Sequence, residues 1–210
     1  MSLQADLEAE VARVWAQHSD GAHDIWHVRR VWANCQRIAD ALDVAVDRDV
    51  LLIASYLHDI VNVPKDDPRR AQASDLSAEH AVAWMTARDM SGHAAVAHAI
   101  RAHSYSAQQA CETVEAQVLQ DADRLDALGA MGIARCFNVA GQLGIGLVHG
   151  ADPLAAARDL DDRAYALDHF SLKLWQVADG MNTAPARAMA HERVMRMRRF
   201  VAELVEEAVV

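Results

Sequence analysis

Apolar residues recur at helical spacing along nearly the whole chain, and no run alternates as a half-buried strand would. The pattern predicts helices over residues 5–17, 24–42, 47–61, 76–90, 93–103, 114–128, 162–177 and 184–208. The helix over 114–128 can continue through Gly129 towards Phe137, and Ser74 and Ser77 are candidate caps for the helix over 76–90. The helix over 47–61 is apolar nearly all round, so we expect it at the centre of the core. The chain is therefore predicted to be all-α, a single compact helical-bundle domain over residues 1–210.

A histidine-aspartate doublet, His58-Asp59, closes the apolar run over residues 51–57. A buried carboxylate is costly to desolvate, so it is normally neutralised by a cation, a metal or a proton. Further residues of ligand type lie upstream and downstream of the doublet: His23, Asp24, His27, Asp121, Asp123 and Asp126. This arrangement predicts a metal site assembled from separate helices, and a metallohydrolase is the first interpretation.

Helical geometry restricts how these residues can share an ion. Consecutive helical residues point about 100° apart, so His58 and Asp59 can reach one ion only at the end or edge of a helix. Asp123 and Asp126 share a face of the helix over 114–128, whereas Asp121 lies on another, so Asp121 and Asp123 cannot both bind one metal. Geometry does not choose between Asp123 and Asp126. Taken alone, these segments also fit a solvated acidic face and a helix that Asp24 caps.

Composition narrows the class of protein. The 210 residues suffice for a substantial hydrophobic core, and the net charge of −10 argues against a nucleic-acid-binding surface. The three cysteines are widely spaced, which indicates reduced thiols rather than a disulfide framework. The first residues carry acids where a signal peptide would carry Lys or Arg, and no apolar run reaches membrane-spanning length. We expect a cytoplasmic protein that binds neither nucleic acid nor membranes.

Four segments together resemble the HD-domain metal-dependent phosphohydrolase superfamily, in particular its small stand-alone bacterial members. AHDIWHVRRVW (residues 22–32) resembles an AHDxxHxxRVW motif, and YLHDIV (56–61) resembles the HD helix. AIRAHSYS (99–106) is similar to an AIxxHSFS segment with Tyr105 in place of Phe, and QDADRLDALGA (120–130) matches a highly specific motif. A late segment over residues 165–174 also matches. The metal motif thus falls within residues 22–130, and the C-terminal helices are expected to complete the core.

The resemblance implies a divalent metal ion, Mn²⁺, Mg²⁺, Ni²⁺ or Fe²⁺, held by His27, His58, Asp59 and Asp123. It implies attack of metal-activated water on a phosphorylated small molecule, for which we expect a nucleotide and favour a nucleoside triphosphate. Asp59 and His103 are the expected catalytic residues, with His103 orienting a ligand or transferring a proton. The cations expected to bind the substrate are Lys65, Arg30 and Arg124, with Arg101 as a further candidate.

Two other classes of function stay open at this point. A di-iron oxygenase of HD type needs more ligands, which His80, His98 and His103 could supply, although His80 is expected to be a surface residue. A non-catalytic module that senses a nucleotide is disfavoured by the complete ligand set. Hydrolysis of an alarmone is disfavoured because the residues after His58-Asp59 lack an acidic pair. We expect Trp26 to border the site and His169 to have a packing role.

Overall fold

The structure is a computed structural model that describes residues 2–16, 24–63, 68–104 and 109–208. These residues form the following α-helices: α1 (Leu3–Trp15), α2 (Ile25–Asp40), α3 (Arg48–Leu57), α4 (Ala73–Thr86), α5 (His93–His103), α6 (Val114–Asp126), α7 (Gly129–Gln142), α8 (Trp175–Asp179) and α9 (Ala184–Ala208). A 3₁₀ turn (Pro68–Gln72) precedes α4, and a π-helical turn (Phe170–Leu174) precedes α8. Within the described residues there is no strand beyond an isolated bridge between Gly146 and Tyr165. The all-α prediction is confirmed.

The chain folds as two compact units, Met1–Asp123 and Arg124–Val210. In the first unit α3 is central, because it packs against α1, α2, α4 and α5. Every residue of α3 from Val50 to Leu57 is buried, as its apolar sequence predicts. Full burial of each large aliphatic side chain contributes roughly 1.5–3 kcal/mol. The placement of the third helix at the centre is confirmed, whereas the single domain over residues 1–210 stays a prediction.

The N-terminus of α4 differs from the prediction. The helix begins at Ala73 and its N-cap is Gln72, which makes no side-chain capping bond. Ser74 and Ser77 lie inside the helix and are buried, so the prediction that they are caps is wrong. The Ser77 hydroxyl instead accepts a hydrogen bond of 3.2 Å from the Val61 amide. The two serines face the core because the preceding 3₁₀ turn already starts the helix before them.

In the second unit α7 and α8 both pack against α9. The prediction that the helix continues from α6 through Gly129 is wrong, because α6 ends at Asp126 and α7 begins at Gly129. The φ of Gly129 is 72°, a left-handed conformation that interrupts a right-handed helix and that glycine adopts without steric cost. The Arg135 guanidinium also donates to the Asp126 carboxylate at 2.7 Å, which anchors the end of α6.

The prediction of a helix over residues 162–177 is also wrong for the first half of that range. The buried Asp168 carboxylate accepts two bonds from the Arg158 guanidinium, at 2.5 and 2.8 Å, and one of 2.7 Å from the Asp161 amide. These bonds keep the chain before Asp168 out of a helix, so the helical conformation begins only at Asp168. Among the described residues, none of the helices combines the length and apolar character that a membrane span requires.

Candidate metal centre

The first histidine of the candidate site is placed by a capped helix start. Asp24 is the N-cap of α2, and its carboxylate accepts a hydrogen bond of 2.8 Å from the His27 amide. The expectation that Asp24 caps this helix is confirmed. The cap sets the first turn of α2, in which the His27 side chain is 1% exposed. His27 is therefore an interior residue and not a surface histidine.

The doublet lies at the end of the central helix. Helix α3 ends at Leu57 and His58 is its C-cap, so the chain leaves the helix where the doublet begins. The His58 Nδ1 lies 2.8 Å from the Ser55 carbonyl oxygen, which can only accept a hydrogen bond. Nδ1 therefore carries the proton, and the Nε2 lone pair faces Asp59, whose Oδ2 is 3.5 Å away. This position at a helix end is the one that lets adjacent residues share an ion.

The C-terminal end of α5 repeats this arrangement. His103 is the last residue of α5 and is buried, and its Nδ1 contacts the Ile100 carbonyl oxygen. The His103 Nε2 lies 3.5 Å from the Asp59 Oδ1. The His58 and His103 rings are nearly perpendicular, with their centroids 4.8 Å apart. Both imidazoles are thus oriented by a backbone carbonyl three residues earlier, and both direct Nε2 towards the same carboxylate.

Asp123 on α6 completes the cluster. Its Oδ1 lies 3.5 Å from the His27 Nε2 and 3.8 Å from the His58 Nε2, and these two nitrogens are 3.4 Å apart. Two groups of donor atoms, His27–His58–Asp123 and His58–Asp59–His103, each lie within 4.8 Å of one another and share His58. Donors that surround one divalent ion at about 2.1 Å lie about 3 Å from each other. Nitrogen and carboxylate donors at these separations could hold a divalent metal ion.

The surroundings of His58 and His103 shift the pKa values of the two imidazoles in opposite directions. Burial lowers the pKa of His58 to about 4, against the favourable charge of Asp59, so His58 is neutral at neutral pH. Burial also acts to lower the pKa of His103, but hydrogen bonding to Asp59 and the charges of Asp59 and Asp123 together raise it. A neutral imidazole is the form that binds metals, and an imidazole with a raised pKa retains a proton. His58 is suited to the first role and His103 to the second.

The neighbouring acids of α6 do not form a solvated face. Asp121 is completely buried, and Asp126 is 1% exposed and paired with Arg135. That alternative interpretation is wrong. Asp123, with 30% of its side chain exposed, is the residue whose carboxylate reaches His27 and His58. Of the two acids that helical geometry left open, Asp123 is thus the one that lies beside the histidines, and its role as a ligand stays a prediction.

The predicted substrate cations have varied surroundings. Lys65 and the candidate ligand His23 lie outside the described residues. Arg30 is half-buried, one turn of α2 after His27. The Arg124 guanidinium donates to the Gly180 carbonyl at 2.5 Å. A substrate contact of Arg124 would therefore have to compete with this backbone bond.

Arg101 is paired on the protein surface, where its Nε lies 2.9 Å from the exposed Asp75 carboxylate. The indole of Trp26 is also exposed, by 59%, and the Arg29 guanidinium stacks on it at 4.8 Å. Trp26 is thus not a core residue, and the structure gives its ring a cation partner.

The other histidines lie apart from this cluster. His80 is half-buried rather than a free surface residue, because its Nε2 lies 2.8 Å from the buried Glu10 carboxylate. His98 accepts a hydrogen bond of 3.1 Å from the Glu112 amide. His169 contacts the Asp162 carboxylate at 2.8 Å. Among the described residues, none of these three belongs to either group of candidate ligands.

Sequence reasoning missed two buried amides beside the site. Asn34 on α2 and Gln120 on α6 are 4% and 7% exposed, and each donates to a backbone carbonyl of another helix. Their signal in the sequence is weak, because a polar residue at one apolar position is compatible with many environments. Gln120 lies inside the segment QDADRLDALGA, which was the strongest pointer towards it.

Comparison with known proteins identifies the class. The HD domain family model matches residues 25–128. The Bacillus subtilis protein YpgQ is 32% identical over 208 residues, which cover 95% of this chain and 93% of YpgQ. Among solved structures, an HD-superfamily hydrolase from Bacillus thuringiensis superimposes with a TM-score of 0.74 at 26% identity, covering 97% of this chain and 95% of that one. The structure of YpgQ in complex with ADP gives a TM-score of 0.72 at 30% identity, with 96% and 97% covered.

The chain belongs to the HD-domain family. It is a metal-dependent phosphohydrolase of this family, as the resemblance in its sequence implied.

Proposed function

We propose that this phosphohydrolase acts on a nucleotide, with a nucleoside triphosphate as the favoured substrate, and that His27, His58, Asp59 and Asp123 hold its metal ion. The observation that carries the proposal is the cluster of buried imidazoles and part-exposed carboxylates that α2, the end of α3, α5 and α6 bring together. The complex of YpgQ with ADP supports a nucleotide as the ligand. Fold likeness alone supports the reaction class better than the molecule, so the substrate has to be tested.

The donor set fits a divalent ion. Two imidazoles and two carboxylates suit Mn²⁺, Fe²⁺, Ni²⁺ or Mg²⁺, with the imidazoles favouring the transition metals. The tautomer of His58 is fixed by Ser55, so its Nε2 offers a lone pair without a rearrangement. When bound, such an ion lowers the pKa of its water and polarises a phosphoryl oxygen. The charge of the two carboxylates beside these buried imidazoles would be compensated by a divalent ion.

His103 is the residue proposed to handle the proton. Its Nδ1 keeps a proton on the Ile100 carbonyl, so Nε2 is the atom that can donate to or accept from a reacting group. The contact of Nε2 with Asp59 orients the ring and stabilises its protonated form. A protonated imidazole at this place can donate to a phosphoryl or leaving oxygen as negative charge develops there. Asp59 thus serves as ligand and as orienting partner of His103.

Binding of the phosphates requires cations, and we retain Lys65, Arg30 and Arg124 in this role. Arg30 shares α2 with His27 and lies one turn further along it. Lys65 follows the doublet closely in the chain. Such cations would reverse the local effect of a net charge of −10 on an anionic substrate. Of the three extra ligands that a di-iron oxygenase would need, His103 lies at the site, whereas His80 is bonded to the Glu10 carboxylate and His98 to the Glu112 backbone amide, which favours the hydrolytic interpretation.

The test is a substrate screen of Mn²⁺-loaded protein against nucleoside mono-, di- and triphosphates and phosphodiesters, with phosphate and pyrophosphate both measured. Water labelled with ¹⁸O should deliver its label to the phosphate or pyrophosphate product. The proposal would be refuted in favour of the oxygenase if the protein hydrolysed none of these compounds and consumed dioxygen in the presence of an organic substrate.

Two variants separate metal binding from substrate binding. Asp59→Ala should lose both stoichiometric metal and hydrolysis while keeping its helix content by circular dichroism. Asp75→Ala is the matched control, because Asp75 is an exposed carboxylate paired with Arg101. Lys65→Ala should raise KM and retain the metal. If Asp59→Ala keeps stoichiometric metal and full activity, the assigned site is wrong.

A further inference from the structure

A buried amide of α2 is bonded to α6 beside a candidate ligand. The Asn34 Nδ2 donates to the Ala122 carbonyl oxygen at 3.2 Å, across 88 residues of sequence. Ala122 directly precedes Asp123, and Asn34 lies on the same helix as His27. The bond therefore joins the helix that carries one candidate ligand to the backbone next to another. It fixes α6 relative to α2 at the place where Asp123 has to meet His27.

A second buried amide connects α6 with α5 in the same way. The Gln120 Nε2 donates to the Ala102 carbonyl oxygen at 2.8 Å. Ala102 directly precedes His103 at the C-terminal end of α5, where backbone carbonyls have no partner within the helix. Gln120 lies three residues before Asp123, hence about one turn away on α6. This bond joins the helix that carries Asp123 to the backbone of His103.

We propose that Asn34 and Gln120 are positioning residues, which lock α6 to α2 and to α5 so that Asp123 and His103 are placed for metal binding and proton transfer. The inference rests on the proposed function, because it takes the roles of Asp123 and His103 from there. Both amides are buried, so loss of either leaves a buried carbonyl with one bond fewer at a cost of about 1–3 kcal/mol. A displacement of a fraction of an ångström next to a ligand is enough to weaken metal binding.

The chain supplies a matched control on the same helix. Gln117 lies one turn before Gln120, and its Nε2 donates to the Cys111 carbonyl at 3.2 Å. Cys111 is not adjacent in sequence to a candidate ligand, and only its Sγ, as a weak donor at 3.6 Å, contacts the Ala102 carbonyl, so Gln117 reaches the backbone next to His103 through one further residue. Gln117→Met therefore removes a bond of the same kind from the same helix, while the Ala102 and Ala122 carbonyls keep their direct amide donors, Gln120 and Asn34. A purely structural role of such bonds predicts equal effects for Gln117→Met and Gln120→Met.

The first measurement is Mn²⁺ binding by electron paramagnetic resonance, together with the thermal midpoint of each variant. Asn34→Leu should weaken Mn²⁺ binding about 10–100-fold, whereas Gln117→Met should bind Mn²⁺ as the wild type does. If Asn34→Leu does not fold, Asn34→Ala replaces it, because the smaller side chain leaves room for water at the Ala122 carbonyl. Wild-type affinity in a folded Asn34 variant would overturn the role of Asn34. The role of Asn34 would also be overturned if the loss of Mn²⁺ affinity were proportional to the fall in thermal midpoint across all variants.

The second measurement needs neither metal nor substrate. Long-range ¹H–¹⁵N spectra of the metal-free protein report the tautomer and surroundings of the His103 imidazole. Gln120→Met should shift or broaden the His103 signals, and Gln117→Met should leave them as in the wild type. Unchanged signals in Gln120→Met would overturn the role of Gln120. If the wild type binds no Mn²⁺, the proposed function fails, while the spectra still decide whether Gln120 positions His103.

Discussion

A polar network that joins the first three helices allows a quantitative prediction on stability. The Glu8 carboxylate of α1 accepts two bonds from the Arg29 guanidinium of α2, at 2.9 and 2.7 Å. It also accepts a bond of 3.0 Å from the hydroxyl of Tyr56 on α3. Arg29 lies two residues after His27, so the network fixes the helix that carries a candidate ligand. The substitution Glu8→Gln preserves the shape of the side chain and removes its charge.

The size of the effect follows from the pKa of the carboxyl group. The bonds with Arg29 are the main cause that lowers the pKa of Glu8 from 4.5 to about 2, and burial opposes them. A difference of this size between folded and unfolded chains corresponds to about 3 kcal/mol. The side chain is 26% exposed, and solvent screening reduces the contribution to about 1–2 kcal/mol. Glu8→Gln should lower the free energy of unfolding by this amount at pH 7.

The dependence on pH has a definite sign. The pKa of Glu8 is lower in the folded chain, so the unfolded chain takes up the proton first as the pH falls. The stabilisation is complete above about pH 4.5 and is lost as the pH falls towards 2. Urea denaturation of the wild type and Glu8→Gln across this range should therefore show two curves that converge at low pH.

The matched control is Asp40→Asn, because Asp40 forms an ion pair with Arg48 in which both side chains are largely exposed. It should cost less than about 0.5 kcal/mol at any pH. A constant difference between the wild type and Glu8→Gln from pH 7 to the lowest accessible pH would refute the electrostatic reasoning. Equal effects of Glu8→Gln and Asp40→Asn at pH 7 would refute the importance of the network.

Three further predictions concern packing and metal binding. Gly132→Ala should destabilise the chain by more than about 2 kcal/mol, because an added Cβ would overlap the Ala127 carbonyl group. Gly141 has open space around it, so Gly141→Ala should stabilise the chain by up to about 1 kcal/mol. Similar thermal midpoints for the two variants would contradict this packing. Ile53→Ala should cost about 2–5 kcal/mol in urea denaturation, since Ile53 is buried in the central helix, and a cost below about 1 kcal/mol would contradict its place in the core. Addition of Mn²⁺ at about 100 times its Kd should stabilise the protein by about 2.7 kcal/mol. A thermal midpoint that Mn²⁺ leaves unchanged and that a chelator raises would contradict binding of the ion to the folded state.

The helical architecture was largely accessible from the sequence. Helices α5 and α9 begin and end at the predicted residues, and the uniformly apolar stretch was placed correctly at the centre. The errors fall where tertiary bonds override local preference. The two serines of α4 are buried instead of capping, and the carboxylate of Asp168 holds a loop where periodicity predicted a helix. Periodicity reports which face is apolar, but it does not report which polar group finds a distant partner.

In the candidate site, too, the residue types could be predicted from the sequence, whereas the bonds between distant residues could not. Residue types and spacing directed attention to His27, His58 and Asp59, and the family resemblance selected Asp123 from three nearby acids. The structure brings these residues together, while their function as ligands stays a prediction. The bonds of Asn34 to Ala122 and of Gln120 to Ala102 could not be found from the sequence, because they span 88 and 18 residues. A bond of this kind depends on the packing of helices, which no local pattern specifies.

The helix ends at the site have an electrostatic consequence. His58 follows the last residue of α3, and His103 is the last residue of α5, so two helix C-termini meet there. The aligned peptide dipoles place partial negative charge at such ends, worth roughly 0.3–1 kcal/mol each towards a nearby cation. The backbone therefore attracts positive charge to this place independently of the carboxylates. A variant that loses its tightly held ion on removal of one carboxylate should accordingly retain a weak affinity for divalent cations that titration can detect.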